Sequence, residues 1–136
     1  MRVLGVDFGS RRVGLALGDT ESGLATALAT LPNDAALFEA IGRVCRERGV
    51  EAIVVGLPLN MDGSRGPQAE RATEFADRLG SHLGLPVETW DERLSTAEVE
   101  RALLAGGLSR KKRKARRDRL AAQLILQSYL DARRGR

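Results

Sequence analysis

Cysteine and histidine occur only once each in the 136 residues, as Cys45 and His82. These counts exclude a disulfide framework, a cysteine-based zinc site and a metal site with several histidine ligands. Only five residues are aromatic, and the sequence shows no cluster of them on which nucleic-acid bases could stack. The longest uncharged run, Ser22 to Asn33, has 12 residues, well short of the roughly 20 apolar residues that a membrane span needs.

The length and the 43% of hydrophobic residues suffice for one hydrophobic core. No internal repeat or low-complexity linker divides the chain, so we expect a single domain over residues 1–136. Met1 leads directly into the strand-like Val3–Val6 without a charged and then apolar leader. We therefore expect a cytoplasmic protein with no membrane partner.

Positive charge is concentrated near the end of the chain. Residues 1–100 carry 10 basic and 16 acidic side chains, whereas residues 101–136 carry 12 basic and 2 acidic ones. Such a basic segment indicates a polyanionic partner, and nucleic acid more than a membrane surface. The alternative is that the charges only solvate a helix. The residues of this segment expected to contact phosphate are Lys111, Lys112, Arg113, Lys114, Arg116 and Arg117.

Hydrophobic patterning predicts the element order βββ-α-β-α-β-α-α, a mixed α/β sheet covered by helices. The predicted strands are Val3–Asp7, Val13–Gly18, Leu24–Leu31, Ala52–Leu57 and Pro86–Glu92. The first two should form a hairpin, and the continuous apolar run of the fourth is typical of a central strand. The predicted helices run from Asn33 as N-cap to Gly49, from Pro67 to about Gly84, from a capping box at Ser95 to Gly106, and from about Arg116 to Arg133.

Acidic residues close two of these strands. Asp7 ends the first strand, and Asp91 and Glu92 end the last one. A carboxylate beside buried apolar residues must be paired, hydrogen-bonded or bound to a metal, because removing a lone charge from water is costly. Strand alternation places Asp91 and Glu92 on opposite faces, and parity alone does not decide which of them joins Asp7. Asp7 could also simply cap a turn.

A third acid, Asp118, shares one face of the last helix with Ala121, Ala122, Ile125 and Tyr129. The helix should pack this stripe against the sheet, and its two alanines would let the backbones approach closely. The alternative is an acid favoured by the helix dipole near the N-terminus. Three carboxylates from two strand ends and a helix suit hard cations, Mg²⁺ or Mn²⁺. Two such ions roughly 3.5–4 Å apart can hold the attacking and leaving oxygens of a phosphodiester displacement.

Four blocks of the chain together resemble the YqgF/RuvX family. They are Val6–Ala16, Val55–Gly63, Asp91–Thr96, and Asp118 with Ala121–Ala122 and Ile125–Leu130. The resemblance spans essentially the whole chain and implies a ribonuclease H-like fold related to the Holliday-junction resolvase RuvC. It also implies a role in processing pre-16S ribosomal RNA, with junction-resolving activity proposed for some members. By position, the catalytic and metal-binding acids would be Asp7, Glu92 and Asp118, with Asp91 as a further candidate ligand.

Further contacts to nucleic acid are expected around these acids. The loop Asn60–Gly66 follows the carboxyl end of a parallel strand, where substrates bind in α/β sheets. We therefore expect Asn60 and Arg65 to contact the substrate, together with Arg11, Arg12 and Arg93.

The sequence predicts a divalent-metal-dependent nuclease that acts on structured nucleic acid. The most favoured role is processing of the 5′ end of pre-16S rRNA in ribosome biogenesis, and the alternative is resolution of four-way DNA junctions. A non-enzymatic RNA-binding factor for ribosome maturation or transcription is a third hypothesis. The sequence leaves open both the choice between monomer and homodimer and that between endonuclease and exonuclease.

Overall fold

The computed structural model describes residues 1–93, 106–107 and 109–134, with the backbone alone for residues 110 and 113–119. This part of the chain contains five strands and three helices. The strands are β1 (Arg2–Phe8), β2 (Arg12–Asp19), β3 (Ala25–Pro32), β4 (Val50–Leu57) and β5 (Val87–Asp91). The helices are α1 (Leu37–Arg48), α2 (Pro67–Leu83) and α3 (Arg110–Arg134). The helix predicted from Ser95 to Gly106 lies outside the described residues.

The strands form one mixed sheet in the order β3-β2-β1-β4-β5. The three strands β1, β2 and β3 pair antiparallel, whereas β4 pairs parallel with both β1 and β5. This arrangement confirms the predicted mixed α/β sheet and the hairpin of β1 and β2. Because β1, β4 and β5 run in the same direction, their carboxyl ends meet at one edge of the sheet, and this edge carries the acids discussed below.

Strand alternation assigns the two faces of the sheet to different helices. Leu4 and Val6 of β1 belong to the core that α1 and α2 cover, whereas Val3 belongs to the core under α3. Glycine lets α3 lie directly on the second face: a Cβ at Gly5 would come within 2.7 Å of the Leu126 Cβ and 3.0 Å of the Ala122 carbonyl oxygen. Such proximity of helix and strand backbones requires glycine in the strand.

Two helices begin elsewhere than the sequence predicts. Helix α1 begins at Leu37 rather than after an Asn33 cap, because the Asn33 Nδ2 instead donates to the Gly9 carbonyl oxygen at 2.8 Å and so fastens the β1–β2 turn. Helix α3 begins at Arg110 rather than near Arg116. There the Ser109 Oγ accepts the backbone N–H of Lys112 at 3.3 Å, which is the pattern of an N-cap.

Candidate active site

Asp7 is the second-last residue of β1 and lies on the face that α3 covers, since Val3 and Gly5 precede it at strand spacing. Its partner across the hairpin is Gly14 of β2. A Cβ placed on Gly14 would be 3.7 Å from the Asp7 Cβ and 3.5 Å from the Ala122 Cβ. Asp7 and the turn of α3 that carries Ala122 therefore both adjoin the space left by the missing side chain of Gly14.

Glu92 follows β5 directly and is held by a backbone hydrogen bond of 3.2 Å from its N–H to the Leu57 carbonyl oxygen. Its side chain lies over Gly56 of β4, where an added Cβ would come within 2.9 Å of the Glu92 Cδ and 2.5 Å of the Ile125 Cδ1. Val6 of β1 pairs with Val55, so Asp7 and Gly56 are the next positions of their strands. The missing side chain at Gly56 thus leaves Asp7 and Glu92 facing each other across β4.

Contacts of β5 decide the question that strand parity leaves open. The Trp90 Nε1 donates to the Ser128 Oγ at 3.1 Å, and the Tyr129 hydroxyl donates to the Glu88 Oε2 at 3.2 Å. The face of Glu88, Trp90 and Glu92 is therefore turned to α3. Glu92 rather than Asp91 shares a face with Asp7.

Burial and neighbouring negative charges perturb the carboxyl group of Glu92. Desolvation raises the pKa of Glu92 from 4.5 to about 7, and the negative charges of Asp7 and Asp91 add to the rise. Its carboxyl group therefore keeps its proton to a higher pH than an exposed glutamate does. An oxygen-seeking cation beside it would favour the ionised form.

Asp91 and Arg93, which flank Glu92 in the sequence, form a salt bridge with each other. The Arg93 Nη2 lies 2.7 Å from the Asp91 Oδ2, and the Arg93 Nε lies 3.0 Å from the same oxygen. These hydrogen bonds hold the pKa of Asp91 below its usual range. The Arg93 Nη1 also donates to the Met61 carbonyl oxygen at 3.2 Å. The guanidinium expected to contact nucleic acid thus joins the end of β5 to the loop after β4.

The loop 60–66 is ordered by its own polar groups. The Asn60 Nδ2 donates to the Ser64 Oγ at 2.9 Å, and the Ser64 N–H donates to the Asp62 Oδ1 at 2.9 Å. The Arg65 Nη1 lies 3.3 Å from the Thr73 Oγ1 of α2. Asn60 and Arg65, both expected to contact substrate, therefore support the loop in this structure, and Met61 at its tip is 88% exposed.

A cleft of about 450 Å³ opens at the two acids. Its lining adds two residues that the sequence interpretation missed, Gln68 and Arg71, both in the first turns of α2. Their signal is positional: Pro67 starts α2 directly after the loop at the site edge, so the first turns of this helix face the same opening. Phe8, Ser10, Asn33 and Pro58 complete the lining.

The remaining predicted residues are only partly described. Arg11 and Arg12 are exposed at the β1–β2 turn, and Lys111 and Lys112 are exposed at the start of α3. The side chains of Arg113, Lys114, Arg116, Arg117 and Asp118 lie outside the described part. The backbone of α3 places residue 118 one turn before Ala122, toward the edge that holds Asp7. Among the side chains described, no three His, Cys, Asp or Glu residues form a metal-binding group.

Three phenylalanines come together beside this cleft, although the sequence itself shows no cluster of aromatic residues. Phe8 stacks on Phe75 with centroids 4.1 Å apart, and Phe38 lies 5.7 Å from Phe75. His82 lies a further 5.3 Å from Phe38. Phe8, Phe38 and Phe75 come from β1, α1 and α2, far apart in the sequence, and only the fold assembles them.

No helix within the described ranges is both long and apolar enough to cross a membrane.

Comparisons with known proteins show the family and the fold of this chain. A family model described as RuvX, Holliday junction resolvase, matches residues 1–132. A protein of Pelotomaculum thermopropionicum, provisionally named a pre-16S rRNA nuclease, is 48% identical over 136 residues that cover 97% of this chain and 88% of its own. A protein of Halothermothrix orenii with the same provisional name is 45% identical, covering 96% and 95%.

Solved structures share the fold at lower identity. RuvC of Thermus thermophilus in complex with a Holliday junction substrate has a TM-score of 0.58 at 18% identity, covering 99% of this chain and 96% of its own. The fowlpox virus Holliday junction resolvase has a TM-score of 0.56 at 13% identity, with coverages of 97% and 99%. These neighbours confirm the ribonuclease H-like fold. The family model and the two curated relatives together show that the chain belongs to the RuvX family.

Proposed function

We propose that this protein is a divalent-metal-dependent nuclease that hydrolyses phosphodiester bonds in structured nucleic acid, with the 5′ end of pre-16S rRNA as its substrate. The observation that carries the proposal is the pair of Asp7 and Glu92, which face each other across Gly56 at the bottom of an open cleft. The names of the relatives and of the family model point to the same chemistry.

The chemistry of this pair suits a hard cation. Burial raises the pKa of Glu92, and the negative charge of Asp7 on the same face adds to the rise. Oxygen donors of this kind are the ligands that Mg²⁺ and Mn²⁺ take. We propose Asp7, Glu92 and Asp118 as the ligands of two such ions, with Asp118 carried by the turn of α3 before Ala122. Bound there, the ions would supply Lewis-acid activation of water and neutralise charge on the phosphate.

The chain's own groups would place the substrate. Arg71 lines the cleft and is exposed, so its guanidinium can bind a phosphate next to the scissile one. The basic start of α3 would bind the backbone at a distance through Lys111 and Lys112 and the basic residues that follow them. Asp91 is occupied by Arg93, and its role in the proposal is to hold the segment of Glu92 in place.

Resolution of four-way DNA junctions is the second candidate, favoured by the description of the family model and by the shared fold with RuvC. Cutting such a junction symmetrically would require two active sites in a homodimer. One experiment separates the candidates: labelled pre-16S rRNA and a labelled four-way junction are each incubated with Mn²⁺, Mg²⁺ or chelator. We expect metal-dependent cleavage of the RNA, and preferential cleavage of the junction would support the second candidate.

Two variants test the site itself. Glu92→Gln should abolish cleavage, whereas Glu51→Gln makes the same chemical change at an exposed position at the opposite end of β4 and should leave cleavage unchanged. Full activity of Glu92→Gln, or of the wild type in chelator, would refute the nuclease proposal. RNA binding by the wild-type protein without any cleavage in Mn²⁺ or Mg²⁺ would favour an RNA-binding factor instead.

A further inference from the structure

A second cleft adjoins the first one, and neither Asp7 nor Glu92 lines it. It has a volume of about 660 Å³ and lies between α1 and α2. Phe8, Asn33 and Arg71 line both clefts. A nucleic-acid strand with a phosphate at Asp7 and Glu92 therefore has a direct path along Arg71 into the second cleft.

The wall of this second cleft is aromatic and firmly held. Phe75 is only 5% exposed and stacks on Phe8, so these two rings are held in place by the core. Phe38 is half-buried and packs at a tilt against Phe75, and the Arg78 guanidinium lies 5.7 Å from the Phe38 ring centroid. A half-exposed ring with a guanidinium group over it offers a stacking surface to which a base can bind through its π-face.

The charges at the rim indicate which part of a nucleotide fits. Asp34, Glu39 and Glu74 line the cleft and are exposed, as are Arg71 and Arg78. Three carboxylates against two guanidinium groups leave the rim with a net negative charge, which disfavours a phosphate. Carboxylates do accept hydrogen bonds from base amino groups, as in their pairing with the cytosine N4 amine. The phosphate would stay at Arg71, on the boundary of the two clefts, and the uncharged base would enter the second one.

We infer that the cleft between α1 and α2 binds one unpaired nucleobase next to the scissile phosphate, and that it prefers bases with an exocyclic amine. The inference rests on the proposed nuclease function in one respect, since it assumes that the nucleic-acid strand passes through the first cleft. It implies that the substrate is single-stranded on one side of the cut.

The test measures binding without cleavage. RNA oligonucleotides carrying 2-aminopurine at successive positions are titrated with the protein in chelator, where fluorescence quenching reports stacking of that base. Phe38→Ala should weaken binding about ten-fold, in line with the loss of one base–aromatic stack, and should remove the quenching at one position. Phe38→Trp keeps a ring and should retain both. Leu24→Ala removes another exposed apolar side chain, 70% exposed, and should change neither.

The outcomes separate this inference from the nuclease proposal. Unchanged quenching in a folded Phe38→Ala variant, together with wild-type cleavage activity, would overturn the pocket and leave the nuclease standing. Position-specific quenching by a protein that does not cleave would support the pocket alone. If Phe38→Ala instead changes the oligomeric state in light scattering, the cleft is an interface with a second copy and the inference fails. Equal binding of adenine, cytosine, guanine and uracil would refute the proposal that the rim carboxylates select bases with an exocyclic amine.

Discussion

Replacing Glu92 with Gln removes the acid that titrates between Gly56 and Ile125 while keeping its size. The folded protein holds the Glu92 proton more tightly than the unfolded chain does, since the pKa rises from 4.5 to about 7. This contribution to stability is therefore complete below pH 4.5 and is lost as the pH rises to about 7. At 1.36 kcal/mol per pKa unit, the wild type should lose up to about 3 kcal/mol relative to Glu92→Gln over this range.

Urea unfolding in chelator at pH 5, 6, 7 and 8 measures this difference. The other titrating groups are common to both proteins, so subtracting the two curves isolates Glu92. The curve of the Glu51→Gln variant, at an exposed site, should run parallel to that of the wild type. If the Glu92→Gln curve is also parallel, Glu92 is solvated in the folded state and the argument that it is a buried partner of Asp7 is refuted.

Three further predictions concern the same site. Asp7→Asn should abolish cleavage and, measured by thermal melting in chelator, leave stability unchanged or raise it, because one of two repelling charges is removed; an active but destabilised variant would show that Asp7 only caps a turn. Changing residues 111–114 to Gln should reduce the salt dependence of RNA binding by up to about three units of log K per log of salt concentration, and an unchanged slope in filter binding would show that they do not touch phosphate. Gly56→Ala should destabilise the protein by about 1–3 kcal/mol through overpacking and impair cleavage by displacing Glu92, whereas wild-type stability in urea would show that the contact yields without cost.

The sequence predicts the sheet well because each strand carries its own signal. The apolar run before Leu57 marks a central strand, and the acid at the end of β1 lies where the pattern places it. The choice between Asp91 and Glu92 could not be made from alternation, since it depends on which face of β5 meets α3. That is a tertiary fact, visible only in the contact between Trp90 and Ser128.

The errors have local physical causes. Asn33 is a good helix cap by type, but its side chain is used by the Gly9 carbonyl across the sheet edge. Helix α3 begins earlier than the sequence predicts, at the Ser109 cap, because its first turns carry charge rather than an apolar stripe. The sequence does not indicate Arg71 or the aromatic cluster, because residues brought together from separate elements leave no pattern in any one of them.

The contact between α3 and the sheet also determines how a distant substitution could act on the site. The Leu126 Cδ2 and the Leu130 Cδ1 of α3 would both lie 2.9 Å from a Cβ on Gly18, so the missing side chain at Gly18 allows α3 to lie where it does. Residue 118 lies two and three turns away from them, roughly 12 to 18 Å at 1.5 Å per residue. A rigid helix transmits axial displacement over that length almost undiminished. A single methyl group added at the far end of the strands could therefore misplace the proposed third carboxylate and inactivate the enzyme without touching any residue near the cleft.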